Sequence, residues 1–166
     1  MALAWRDNEE YMAIVADLMD QQCVKDLESF VHHKVTNRLA HSISVSYRSY
    51  RLAKRLKLDA VATARAGLLH DLFFYESCDK HQVGGRGHNY EHPRIALQNA
   101  LKITDLSDKE RDIILKHMFG ATLAFPKYGE SYIVTLMDKH TAICEWCDGT
   151  SRYFRQYLLK RLKLAS

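Results

Sequence analysis

The chain has 166 residues, enough for one hydrophobic core, and its 47% hydrophobic and 27% charged composition excludes the disordered and fibrous classes. Only 7 Gly and 2 Pro occur, and abundant Leu, Ala, Lys and Arg point to an all-α protein. The net charge of +4 is concentrated in "YRSYRLAKRLK" (47–57) and the terminal "RQYLLKRLKLAS". Arg48, Arg51 and Arg55 share a helix face there, read as a solvated basic stripe. Nucleic acid is not an expected partner, because aromatic interleaving stops at Tyr47 and Tyr50.

The opening "MALAWRDNEEYMAIVADLMD" has no apolar run of signal-peptide or membrane-span length, so a cytoplasmic location without membrane association is expected. Its segment "NEEYMAIVADLMDQQC" predicts a first helix with acidic residues in the opening turn. A further helical segment is predicted over 25–33. "RLAHSISVSYRSYRLAKRLK" alternates like a strand at Ile43, Val45 and Tyr47. Over a longer window, Ile43, Tyr47 and Tyr50 form one edge and Val45, Leu52 and Leu56 another, which predicts a long helix.

Asp59 caps "AVATARAGLLH", where Val61, Ala64 and Leu68 line one face. Gly67 inside that helix costs about 1 kcal/mol relative to Ala, and close packing against another helix is the expected reason. An irregular stretch spans 75–90. Pro93 then opens a helix to about 102, and Ser107 with Glu110 forms a capping-box signature for a helix ending at His117. "FGATLAFPKYGE" reads as loop, followed by helices over 131–147 and 150–164, the second turning Tyr153, Phe154, Tyr157 and Leu158 inward. Four cysteines make no disulfide framework here, and Cys144 and Cys147, a C-x-x-C pair in an apolar helix, read as buried core thiols. No repeat or linker divides the chain, so residues 1–166 are read as one domain.

Against this background, His41, His70 with Asp71, His92, His117 and Asp138 all fall near ends or inner faces of predicted helices, each among apolar neighbours. A lone histidine so placed is ordinarily hydrogen-bonded within a core. Burying one polar side chain without a partner costs roughly 1–3 kcal/mol, and one metal centre would satisfy the whole set.

The ordered pattern H…HD…H…H…D, with "LLHD" closing a helix, resembles the HD-domain metal-dependent phosphohydrolase superfamily over about residues 38–147. The resemblance implies a compact, single-domain helical bundle in which His41, His70, Asp71 and Asp138 hold one divalent metal. It further implies that His92 and His117 serve a second metal bridged by Asp71. One or two ions are implied, two favoured, and imidazole with carboxylate suits Fe, Mn, Zn, Co or Ni. The implied activity is cleavage of a phosphate ester or anhydride by a metal-activated hydroxide, with His70 and Asp71 as the catalytic pair. The substrate would be a nucleotide or another small phosphorylated metabolite.

Alarmone hydrolases of the superfamily carry an acidic pair where this chain has Phe74 and Tyr75. Cyclic-dinucleotide phosphodiesterases have "HDIGK" and a GYP motif where this chain has "HDLFF" and no counterpart. The chain is more similar to the compact branch that includes dinucleoside-tetraphosphate hydrolases, or to other small HD proteins, and the resemblance fixes no substrate. Lys139, Arg94 and Arg86 are candidates to neutralise a substrate phosphate. His88 is a candidate spare ligand or proton donor, and Phe73, Phe74 and Tyr75 a candidate apolar wall. His32, His33, His81 and His140 are read as non-ligands. Two other readings are a non-catalytic metal-bound module for a nucleotide or partner protein, and a di-iron oxygenase of the same fold.

Overall fold

The structure, a computed structural model, describes residues 4–32, 36–75 and 86–164. Helix α1 (Glu9–Met19) begins at Asn8, whose side chain accepts a hydrogen bond from the Tyr11 amide, and it buries Tyr11, Val15 and Leu18. The helical segment expected over 25–33 is helical only as far as Ser29 among the described residues, and not as one helix. Instead α2 (Gln22–Lys25) is a single turn, a 3-10 turn covers Asp26–Ser29, and β1 (Val31–His32) pairs antiparallel with β2 (Thr36–Asn37). Phe30 is extended, and its carbonyl accepts the Arg38 amide at 2.9 Å, which ties this segment to the next helix.

That helix, α3 (Arg38–Arg55), is capped by the Asn37 side chain on the Ala40 amide. Ile43, Val45, Tyr47 and Tyr50 are all buried, so the strand-like alternation is that of a helix, but the expected second edge does not reach Leu56, which is exposed at the helix end. Tyr11 of α1 packs against Tyr47 and Tyr50 on one edge, while α4 and α7 take the others. Helix α4 (Ala60–Leu69) is capped by Asp59 as expected, with Leu68 and Ala64 buried but Val61 turned to solvent. At Gly67, an added Cβ would stand 3.0 Å from the Ser46 Cα, so the glycine lets α4 cross α3 backbone to backbone. The crossing is tied by the Ser46 hydroxyl, which donates to the Ala64 carbonyl at 2.6 Å and accepts from the Tyr11 hydroxyl at 2.9 Å.

Helix α5 (His88–Ala100) starts five residues before Pro93, which lies inside it. Its cap is Gly87 at φ +86°, a conformation that an L side chain rarely adopts, and no side chain signals the start. Helix α6 (Asp108–Lys116) has the expected capping box between Ser107 and Glu110. Helix α7 (Gly129–Leu164) runs unbroken through Gly149, where two helices were expected. The inward placement of Tyr153, Phe154, Tyr157 and Leu158 lies outside the described side chains, as do His32, His33, His81 and Cys78. The C-x-x-C pair is not in the core, since Cys144 is half-buried and Cys147 exposed.

The architecture is all-α apart from the two-residue ladder. Among the described residues no helix is long and apolar enough to cross a membrane. Two buried polar groups fix the elements that matter for the site. Asp112 on α6 accepts from the Lys127 amide at 2.9 Å and the Ser131 hydroxyl at 2.7 Å, which sets the start of α7. Arg38, fully buried, donates to the carbonyls of Phe73 and Tyr75 at 2.7 and 3.0 Å and stacks on the Phe73 ring.

Gly67→Ala should therefore destabilise the fold by about 1–3 kcal/mol, the range for overpacking, although alanine is the better helix former by about 1 kcal/mol. Urea unfolding checks this. A gain in stability would mean that the crossing relaxes without loss.

Candidate metal centre

The six residues of the pattern come from five helices or their ends. His41 lies in the first turns of α3, and His92 lies within α5. His70 and His117 are the C-caps of α4 and α6, Asp71 directly follows His70, and Asp138 lies in α7. His41, His70, Asp71, His92 and His117 are buried and Asp138 nearly so.

Local backbone chemistry decides which way the imidazoles face. The last carbonyls of a helix have no amide donor of their own helix. At the C-termini of α4 and α6, the Gly67 and Ile114 carbonyls accept from Nδ1 of His70 and His117, each at 2.8 Å. His92 does the same with the His88 carbonyl at 2.8 Å. With Nδ1 protonated in all three rings, Nε2 is left as the position that takes up a cation.

These Nε2 atoms converge on the two carboxylates. The Nε2 of His70 is 3.7 Å from Asp71 Oδ2 and 3.7 Å from Asp138 Oδ1. Asp71 Oδ1 lies 3.3 Å from the Nε2 of His92 and 3.6 Å from that of His117, and those two nitrogens are 2.8 Å apart. The Nε2 of His41 is 3.0 Å from Asp138 Oδ1, and its Nδ1 is 3.0 Å from Oε2 of Glu145. Among the described residues, three groups have ligand atoms all within 4.8 Å of one another and could hold a metal ion: His41–His70–Asp71, His70–His117–Asp138 and Asp71–His92–His117. His70, Asp71 and His117 each belong to two of them.

The electrostatics fit a cation. Burial opposes charge on Asp71, yet His70, His92 and His117 hold its carboxyl well below 3.8. Burial likewise opposes charge on Asp138, and the hydrogen bond from His41 together with the nearby charge of His70 outweighs it. Burial, then repulsion from His92 and His70, pushes His117 down to about 3, so its ring is neutral. Two imidazole nitrogens 2.8 Å apart, each ring already protonated at Nδ1, set lone pair against lone pair unless a proton or a metal ion lies between them. His70 Nε2 and Asp71 Oδ1, both buried, have no hydrogen-bond partner of good geometry. Leaving such atoms unsatisfied costs roughly 1–3 kcal/mol each. The donor set, imidazole with carboxylate and no thiolate, suits a borderline divalent transition ion.

The remaining candidates divide. Lys139 is half-buried beside the cluster, its Nζ 3.5 Å from the His117 carbonyl, and burial lowers its pKa. Arg94 and Arg86 are turned to Tyr90 instead: Arg94 lies 3.5 Å over its ring, and Arg86 hydrogen-bonds its hydroxyl. His88 stacks on His92 with ring centroids 4.4 Å apart and meets the Tyr75 hydroxyl at 3.2 Å. Phe73 and Tyr75 are buried around it, while Phe74 points away, 38% exposed. His140 is exposed.

Two residues of the site were missed from sequence. Glu145 carried a signal, since it lies seven residues after Asp138 and so on the same helix face. Arg38 carried none, because its acceptors are backbone carbonyls distant in the chain.

Without a metal, His41 sits between two carboxylates; burial opposes its charge, but Asp138 and Glu145 raise its pKa to about 10. The stability from this imidazolium is complete below the ordinary 6.5 and is lost as pH rises through about 10. Metal added to chelator-treated protein at pH 8 should therefore displace a proton. Titration calorimetry in buffers of different ionisation enthalpy measures this, and proton-neutral uptake would contradict it.

A family model described as the HD domain matches residues 38–143. No curated protein and no solved structure matches the chain significantly. The matched segment exceeds half of the 166 residues and runs from the first residue of α3 into α7, spanning all six residues of the pattern. The chain belongs to the HD-domain superfamily of metal-dependent phosphohydrolases.

Proposed function

We propose that this protein is a metal-dependent phosphohydrolase that cleaves a phosphate ester or anhydride in a small phosphorylated substrate, a nucleotide being the leading class. The observation that carries the reading is the position of Asp71. Its Oδ2 faces His70, while its Oδ1 faces His92 and His117, so one carboxylate serves two adjoining donor groups. His41, His70, Asp71 and Asp138 would hold one ion, and Asp71, His92 and His117 the other.

When bound, the ions supply Lewis acidity, lowering the pKa of water and offsetting charge on the phosphoryl oxygens. The protein's own groups prepare that chemistry. The carbonyls of Gly67, His88 and Ile114 fix the three tautomers, so no imidazole must turn when a metal arrives. Arg38 pins the carbonyls of Phe73 and Tyr75, which keeps the segment after Asp71 from shifting. Asn99 adds a hydrogen bond to the Leu72 carbonyl at 2.9 Å. Phe73, Tyr75 and His88 form an aromatic wall beside His92. Lys139 brings a cation to the rim at His117, where it would hydrogen-bond a phosphoryl oxygen.

Protein purified without chelator should contain up to two equivalents of a transition metal and release phosphate from at least one member of a nucleotide panel. Asp71→Asn preserves shape and should lower turnover by at least about 10²–10³-fold, the scale for removing one electrostatic stabiliser. Unchanged turnover in that variant would sink the assignment of Asp71. Two equivalents of metal with no phosphate release from any compound would favour the binding-module reading, and oxygen-dependent turnover with mixed-valent iron the oxygenase.

A further inference from the structure

We propose that Glu145 is a positioning residue for the metal centre: its carboxylate orients His41 and raises the donor strength of that ring. The inference rests on the metal-dependent reading above and extends it to a residue beyond the matched segment, which ends at 143.

His41 differs from the other three imidazoles. His70, His92 and His117 each direct Nδ1 to a neutral carbonyl of their own helix or its end. His41 directs Nδ1 to a carboxylate on a different helix, Glu145 Oε2 at 3.0 Å, and presents Nε2 to Asp138 on that same helix. The ring itself is fully buried. A charged acceptor makes a stronger hydrogen bond than a carbonyl and leaves the opposite nitrogen a better electron donor. Glu145 thus selects the tautomer that points Nε2 at the centre, and it supplies negative charge that offsets a bound cation. In arrangements of this kind, carboxylate to histidine to metal, loss of the carboxylate typically weakens metal affinity roughly 10- to 100-fold.

Glu145 is also reachable. Its side chain is 15% exposed and borders a half-open cavity of about 440 Å³ between the N-terminal segment, α3 and α7. Arg6 and Arg48 line the same cavity, as do the carboxylates of Glu28 and Asp148. Removing the Glu145 side chain enlarges a space open to solvent, so a small carboxylate added to the buffer can enter and occupy its place.

The test is a cobalt(II) titration of chelator-treated protein, followed by visible absorption and calorimetry, on wild type, Glu145→Gln and Glu145→Ala. Circular dichroism checks that each variant folds. The expected result is weaker binding at the His41 group, by roughly 10- to 100-fold in Glu145→Ala and less in Glu145→Gln, whose amide oxygen still accepts from Nδ1. The ligand-field bands should shift in Glu145→Ala, and millimolar acetate should restore both affinity and spectrum. Binding at Asp71, His92 and His117 should be unchanged. Wild-type affinity and an unshifted spectrum in both variants would overturn the role of Glu145 while leaving the metal centre standing. Failure of the wild type to bind cobalt would overturn the metal-dependent reading itself, and this inference with it.

Discussion

The close crossing of α3 and α4 is the constraint from which the rest follows. A Cβ at position 67 would stand 3.0 Å from the Ser46 Cα, so any other residue there would push the two backbones apart by a few tenths of an ångström. The helix gives up about 1 kcal/mol of propensity there. In return the His41 and His70 rings stand with centroids 5.7 Å apart, near enough for their nitrogens to serve one ion. The same residue has a second task, because the Gly67 carbonyl accepts the Nδ1 proton of His70. A wider crossing would move the two rings apart and the acceptor with them, so packing and tautomer are set by one backbone contact.

Around that contact the protein assembles a site that is poorly satisfied without a cation. Helix ends provide carbonyls that fix Nδ1, and each fixed Nδ1 leaves an Nε2 facing the carboxylates. The burial that holds these groups still also keeps water from satisfying them. Any ion that binds only the folded state stabilises it by an amount that grows with its concentration over its dissociation constant. A metal ion bound by these residues would thereby link its own loading to the stability of the fold.

Much of this was legible in the sequence because it is written in local signals. Asp59 as a cap, Ser107 with Glu110 as a capping box, and Gly67 as a packing glycine each announce themselves within a few residues. The histidine and aspartate pattern carried the family. What was not legible depends on distant partners or on backbone geometry. The start of α5 rests on the positive φ of Gly87 rather than a capping side chain, so Pro93 looked like the first turn. The ladder of β1 and β2 stands where a helix was expected, because the Phe30 carbonyl binds the amide of Arg38. Gly149 suggested a break that α7 does not make. The C-x-x-C pair seemed apolar by its neighbours in sequence, but the face of α7 that carries Cys147 is exposed.

The length of α7 has a consequence for the centre. Asp138 and Glu145 stand two turns apart on one helix, about 10 Å along its axis. They converge on opposite nitrogens of the single His41 ring, each at 3.0 Å. A slip of α7 along α3 by one turn, roughly 5.4 Å, would leave neither contact in place. His41 therefore ties the register of the two helices as well as standing in a group that could hold a metal ion. Asp112 fixes the same helix at its start through Ser131, so α7 is held at both ends of the segment that carries Asp138. Two anchors on a rigid helix place that carboxylate more closely than a loop could, and a metal centre tolerates little displacement of its donors.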